Sequence, residues 1–394
     1  MKSSAARSSE AKERPVSRRA TTIIAVLELI FVSFILARVE TWIHLDDMVL
    51  DHLAYLQSSR TKDSKQIVLV AITNEDYQQK HLRGEHVTLR RDGLEDLLEH
   101  IANANPKLIV VDVETADSDY RGLAATPRLA GKNILWARPL QSNTPLPVLG
   151  IDPPQVPTGV TALPADEHDR IIRSYRRLVE ISSGEVVETL PYAAAVAFDD
   201  KDRLKKDLRL RVLMFWGHPI NFENTSTQHL NSHGFNAYSY ADVQASKPGD
   251  LRKALERKIV IVGGTYSDEH ITPIGKMYGI ELVANILETE LRLPRGGPSR
   301  VTPTLLLYFN LALGALLMFV YARYQLRVAV AINLGVFAML VAGMFFESLA
   351  YLAFNFAPSP LVFLAVYTYW RVSSFHHRLF HQIVKVLSPP ARTA

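Results

Sequence analysis

Hydrophobic residues along the chain fall into two kinds of pattern. Near-continuous runs rich in β-branched residues occupy positions 66–72 (QIVLVAI), 107–113 (KLIVVDV) and 258–264 (KIVIVGG), and a more broken run lies at 209–216 (RLRVLMFW). Three of these are almost uninterrupted by polar residues, as expected of strands covered on both faces. Between them apolar residues recur at helical spacing. Leu94, Leu97, Leu98 and Ile101 mark one face of a helix over 91–106, closed by Pro106, and Ile280, Val283, Ile286 and Leu287 mark another over 278–291. Strand and helix in alternation predict an α/β fold with a parallel or mixed sheet. Residues 138–164 hold seven prolines and read as a long irregular excursion inside that fold, since strand patterns resume after it.

Four longer apolar blocks lie at 20–38, 301–322, 328–346 and 348–370, and the last three carry no charge. Each has the ~20-residue length of a membrane-crossing helix. They predict four transmembrane α-helices, with an exported domain over 40–300 between the first and the second. The sequence ILARVE after the first block lacks a small-x-small cleavage pattern, so that block reads as an uncleaved anchor.

Basic residues give the orientation. Lys2, Arg7, Lys12, Arg14, Arg18 and Arg19 fill the tail 1–19, Arg323 and Arg327 bracket the turn after the second block, and Arg371, Arg378, Lys385 and Arg392 mark the tail 371–394. The positive-inside rule then places both termini in the cytoplasm. Arg292, Arg295 and Arg300 run against the rule, which a long translocated domain tolerates. The expected location is a bacterial inner membrane, multi-pass, with the large domain in the periplasm. The sequence pI near 9.0 is thereby explained by topology, and nucleic acid is not an expected partner. The chain has no cysteine, which excludes disulfides, thiol chemistry and thiolate metal sites.

The candidate chemistry is sparse. Gly263 and Gly264 follow a strand, but neither the P-loop spacing nor G-x-G-x-x-G is present, so the glycines are expected to allow a tight turn with φ > 0. Asp268, Glu269 and His270 come next, without the H-E-x-x-H or G-x-S-x-G context of a hydrolase. Asp112 ends one strand and Asp268 follows another, at the carboxyl ends where α/β sheets bind ligands. Either acid reads equally as a cap for loop or helix amides. His229 and His233 stand at i, i+4 with no third ligand in view, so no metal, cofactor or catalytic residue is assigned. A hydrolase built on Asp112, Asp268 and His270 is the least favoured alternative. Glu28 interrupts the first apolar block. It reads either as a coupling residue paired with Asn310, Asn333 or Asn355, or as a group nearer the surface than the block boundaries suggest.

The order of segments resembles the type-two CHASE sensory domain. IVLVAIT at 67–73 matches its first strand, and Arg90 or Arg91 stands where the family opens its first long helix with Arg. LIVVDVE at 108–114, Asp169 to Arg173 followed by TLPYAAAVA, and RKIVIVGGTYSDEHITPIGKMYGIELVAN at 257–285 match the later elements. Val283 stands in place of the family's usual His, and Tyr278-Gly279 in place of Pro-Gly. The resemblance implies an extracytoplasmic sensor, not an enzyme, with ligand-binding candidates Arg90, Asp112, Asp268, His270 and Thr272. Glu28, Asn310 and Asn333 are the candidates for intramembrane coupling. Family members usually continue into a cyclase or kinase, whereas this sequence continues only to residue 394. The expected partners are therefore the membrane, an extracytoplasmic ligand or protein, a cytoplasmic effector supplied in trans, and a second copy in a homodimer. The alternative is an envelope scaffold that uses the same fold without sensing.

Overall fold

The structure, a computed structural model, describes residues 63–78, 89–164, 169–199, 234–265, 268–293, 303–323 and 326–343, with isolated residues between 47 and 58, between 208 and 215, and at 360 and 364. The chain divides into two compact units. One comprises Asp46–Arg300 with Met344–Phe354, and the other Met1–Leu45, Val301–Gly343 and Asn355–Ala394.

The first unit is built on a mixed sheet. Its strands are β1 (Ile67–Ile72), β2 (Leu108–Asp112), β3 (Ile134–Gln141), β4 (Thr144–Pro145), β5 (Thr158–Thr161), β10 (Asn236–Ser239) and β11 (Ile259–Gly264). They run in the order β10-β1-β11-β2-β3-β4, with β5 also on β3. Every pairing is parallel except β3 with β4. All six residues of β1 are buried, because alternate side chains enter different layers. Val68, Val70 and Ile72 pack with helices α2 (Arg91–Asn103), α4 (Tyr240–Ala245) and α5 (Pro248–Leu255). Ile67, Leu69 and Ala71 pack with α3 (Leu190–Asp199) and α6 (Gly279–Arg292). A short α1 (Asn74–Gln78) follows β1.

The helices follow from their sequence. α2 buries Leu94, Leu97, Leu98 and Ile101 on one stripe. Past its end, Asn105 takes φ 58°, the left-handed conformation that closes helices, and Pro106 prevents continuation.

Six short strands lie outside the main sheet, in three antiparallel pairs. Among its described residues the 209–216 segment contributes β9 (Arg211–Val212), which pairs antiparallel with β6 (Ser174–Tyr175). Phe215 lies against α6, its amide donating to Thr289 Oγ1 at 3.0 Å. Strands β7 (Leu178–Glu180) and β8 (Val186–Glu188) form a hairpin, as do β12 (Glu269–Thr272) and β13 (Gly275–Tyr278). The proline-rich excursion is more ordered than expected, since 138–164 contains the end of β3 and all of β4 and β5.

The expectation of four transmembrane helices is corrected. Segment 20–38 lies outside the described residues, as does 348–370 but for two positions. The other two blocks form α7 (Pro303–Arg323) and α8 (Leu326–Gly343). Among the described residues no helix is long and apolar enough to cross a membrane. α8 has 18 residues and includes Arg327, so it rises only ~27 Å against a hydrocarbon thickness of ~30 Å. In α7 the apolar run is interrupted by Tyr308, Asn310 and Tyr321 and ends on Arg323. The expectation rested on apolar blocks of spanning length, and the described helices fall short in length and apolarity taken together.

Candidate site at the carboxyl edge of the sheet

The parallel strands β1, β2, β10 and β11 end on one edge of the sheet, and each of them leads to an acidic residue. After β1, Asp76 accepts hydrogen bonds from the Thr73 amide (3.0 Å) and hydroxyl (2.9 Å). After β10, Asp242 accepts from the Ser239 amide, while Ser239 Oγ accepts from the Asp242 amide. Both acids are thus engaged in closing their own helices. Asp112, the last residue of β2, is different. It is half-buried, and its carboxylate accepts no hydrogen bond from the described residues. Burial pushes its pKa up to about 7; the nearby Asp268 charge adds to the rise and His270 opposes it.

Asp268 and His270 come to the same place through the loop after β11. Their side chains pair at 2.9 Å, His270 Nε2 to Asp268 Oδ1. The Asp268 carbonyl accepts from the Gly279 amide at 2.9 Å. Its carboxylate lies so close over Gly279 that a Cβ there would collide with it. Gly279 is the first residue of α6, and so the acid–histidine pair rests on that helix's N-terminus.

The opening glycines act differently from the expectation. Neither Gly263 nor Gly264 is among the positive-φ glycines, and both are extended within β11. A Cβ on Gly263 would lie 3.1 Å from Ile280 Cβ and 3.2 Å from the Asp112 carbonyl. The glycine therefore permits close approach of β2 and α6 where the site is formed, not a turn.

The structure brings Asp112, Asp268 and His270 together. Thr272 is buried, and its hydroxyl donates to the Gly275 carbonyl across the β12–β13 turn. Arg90 is exposed and pairs with Asp92 of its own helix. Its neighbour Arg91 reaches across instead, to the carbonyls of Asp119 (3.3 Å) and Arg121 (3.0 Å) in the loop after β2. Val283, at the family's His position, is buried against the sheet. Asn333 is fully buried in α8. Asn310 lies in α7, with its side chain outside the described residues. Glu28, His229 and His233 lie outside them altogether. Among the described residues no group of three His, Cys, Asp or Glu side chains could hold a metal ion.

Sequence reasoning missed a second polar cluster, on the outer side of α6. Arg173, Tyr175, Arg177, Glu288 and Glu290 are buried there. Its local signals were the Asp169 to Arg173 spacing, which becomes an ion pair here, and the alternation Arg-x-Tyr-x-Arg at 173–177, since alternate residues of an extended segment share a face.

These features define a doubly covered α/β unit with one open polar edge and a long final helix starting at that edge. Over residues 27–320 the chain matches the CHASE2 domain, and it belongs to that family of extracytoplasmic sensory domains. No curated protein and no solved structure matches it.

Proposed function

We propose that the chain is an extracytoplasmic sensor whose recognition site is the carboxyl edge formed by Asp112, Asp268 and His270. The observation that carries this reading is the contrast among the edge acids. Asp76 and Asp242 are satisfied by their own helices, whereas Asp112 receives no hydrogen bond among the described residues. A carboxylate so placed favours a ligand that brings donors, and a small protonated amine is the simplest class. The amine would restore the ionised form of Asp112, because opposite charge offsets the desolvation that raises its pKa. Its arrival would also draw on Asp268, which sits against the first residue of α6. A bound state that favours one position of α6 over another can pass the difference to an effector protein. The role is recognition and not catalysis.

The test is calorimetric titration of the full chain with a set of primary amines, including ethanolamine and putrescine, at pH 7. Binding is expected with wild type and a loss of at least tenfold in affinity with Asp112→Asn. Binding of equal strength in Asp112→Asn, or no binding of any amine, would overturn the assignment.

A further inference from the structure

The outer side of α6 carries charge in a place where apolar residues would be the simpler choice. Arg173 is 5% exposed. Its Nε and Nη2 donate to the two oxygens of Asp51 at 2.6 and 2.8 Å, and its Nη1 and Nη2 donate to Asp169 at 3.1 and 2.6 Å. Asp47, four residues before Asp51 in the sequence, lies 4.0 Å away. Burial opposes the Arg173 charge, but its hydrogen bonds to the Asp51 and Asp169 carboxylates hold its pKa above the ordinary guanidinium range.

Two positions further on, the Tyr175 hydroxyl donates to Glu290 Oε1 at 2.7 Å. Two further still, Arg177 is 0% exposed. It grips Glu290 with both Nε (2.7 Å) and Nη2 (2.6 Å), the two-pronged geometry that fixes orientation as well as distance. Glu290 lies in the last turns of α6. Two residues before it, Glu288 accepts from Ser64 Oγ and from Arg292 Nε, each at 2.6 Å.

The segment between these grips is itself held on both sides. The Leu213 amide donates to the Arg173 carbonyl at 3.0 Å, and the Thr189 amide donates to the Arg177 carbonyl at 2.9 Å. Tyr175 pairs with Arg211 in the β6–β9 ladder. In an extended segment, Arg173, Tyr175 and Arg177 share one face, spanning roughly 13 Å at ~3.3 Å per residue.

Buried ion pairs are weak contributors to net stability, because desolvation offsets most of the Coulomb gain. Their effect is to fix which groups stand opposite each other. Here one end of the segment holds the chain as it enters the α/β unit, at Asp47 and Asp51. The other end holds the helix by which the chain leaves it, at Glu290.

We propose that residues 173–177 are a strut joining the entering segment to the final turns of α6, so that displacement of one is transmitted to the other. The two ends differ in solvent access. Asp51 and Asp169 are partly exposed, whereas Glu290 is fully enclosed. The Arg173 end is therefore the one that yields first, and the Arg177 end moves with the helix as one piece. The strut rests on the sensory reading only for its purpose. The coupling itself needs no ligand, and so it can fail while the amine site stands, or stand while that site fails.

The test is hydrogen–deuterium exchange of the full chain, comparing wild type with Asp51→Asn. Loosening of the Arg173 grip is expected to raise exchange at least threefold in peptides containing Asp47 and Asp51. It should raise exchange as well at the amides of residues 288–293, with 67–72 and 259–264 unchanged. A rise confined to the entering segment, or no rise at either end, would overturn the strut. If Asp51→Asn loosens the sheet too, Arg173→Lys decides, because it keeps the charge and removes the fork. The same two-ended pattern at smaller amplitude supports the strut, and a one-ended pattern rejects it.

Discussion

The two polar regions on α6 are organised in opposite ways. At the helix's first residue, Asp268 and His270 pair with each other, and Asp112 is left with a carboxyl that titrates near neutrality. Near its last turns, Arg177 and Glu290 are enclosed and joined by two hydrogen bonds, with Tyr175 as a third donor. Low local dielectric acts in both places, but with different results. The Glu290 carboxylate, held by three donors, is fixed in place although Arg177 Nη1 has no partner among the described residues, whereas an incompletely satisfied carboxylate becomes responsive to protons and to cations. One helix thus has an adjustable end and a fixed end.

The most severe way to break this contrast is at the fixed end. Arg177→Met leaves Glu290 buried without its cation, and a loss of about 3–5 kcal/mol is expected. Urea unfolding of the variant against wild type measures it. Adding Glu290→Leu should recover most of that loss, because the uncompensated charge, and not the missing pair, is the main cost.

The adjustable end predicts a smaller effect with a pH signature. Burial raises the Asp112 carboxyl from the ordinary aspartate value of 3.8 to about 7 in the folded chain. The unfolded chain therefore releases this proton first, and wild type loses stability as pH rises from about 4 to about 7. Asp112→Asn removes that penalty. It should match wild type near pH 4 and exceed it at pH 8 by roughly 2 kcal/mol, about half of what the whole rise would give, because solvent screens the half-buried carboxyl. Urea midpoints at the two pH values check this, and equal differences at both would show that the carboxyl does not titrate as placed.

Arg90→Ala is the mildest case. The Arg90–Asp92 pair is exposed on both sides, so removing it should change stability by less than about 0.5 kcal/mol. The same thermal or urea measurement applies. Binding of amines should also be unaltered if Arg90 stands apart from the site.

How much of this was legible in the sequence depends on the range of the interaction. β1, β2 and β11 were readable because covered parallel strands require nearly continuous apolar runs. α2 and α6 were readable from their spacing. β3 was not, because Arg138 and Pro139 interrupt it. The structure accommodates them beyond Trp136, where β3 no longer pairs with β2 and pairs with β5 instead. β10 has four residues and no distinctive pattern. The apolar blocks suggested membrane crossing, but the described helices they form do not reach the required combination of length and apolarity.

At the site, Asp112 and Asp268 could be singled out by their positions after strands. That Asp112 would remain uncapped while Asp76 became a cap could not, since the difference lies in which local amides each carboxylate meets. The strut was least legible of all. Arg173 meets Asp51 and Arg177 meets Glu290 across sequence separations of 122 and 113 residues, and no local pattern encodes such pairs.

The place of β1 in the sheet has a consequence for how the protein is made. Ile67–Ile72 is the first strand of the sheet to be synthesised, yet its two neighbours are β10 and β11, which come at Asn236–Ser239 and Ile259–Gly264. β2 cannot shelter it, because β11 stands between them. A six-residue, wholly apolar strand therefore waits without a partner while most of the unit is translated. Such segments pair readily with one another when exposed, and sheets closed by distant strands assemble slowly. Biogenesis of this chain depends on keeping IVLVAI covered until its last main-sheet strand arrives, so overproduction should reveal aggregation at that segment before any loss of the finished fold.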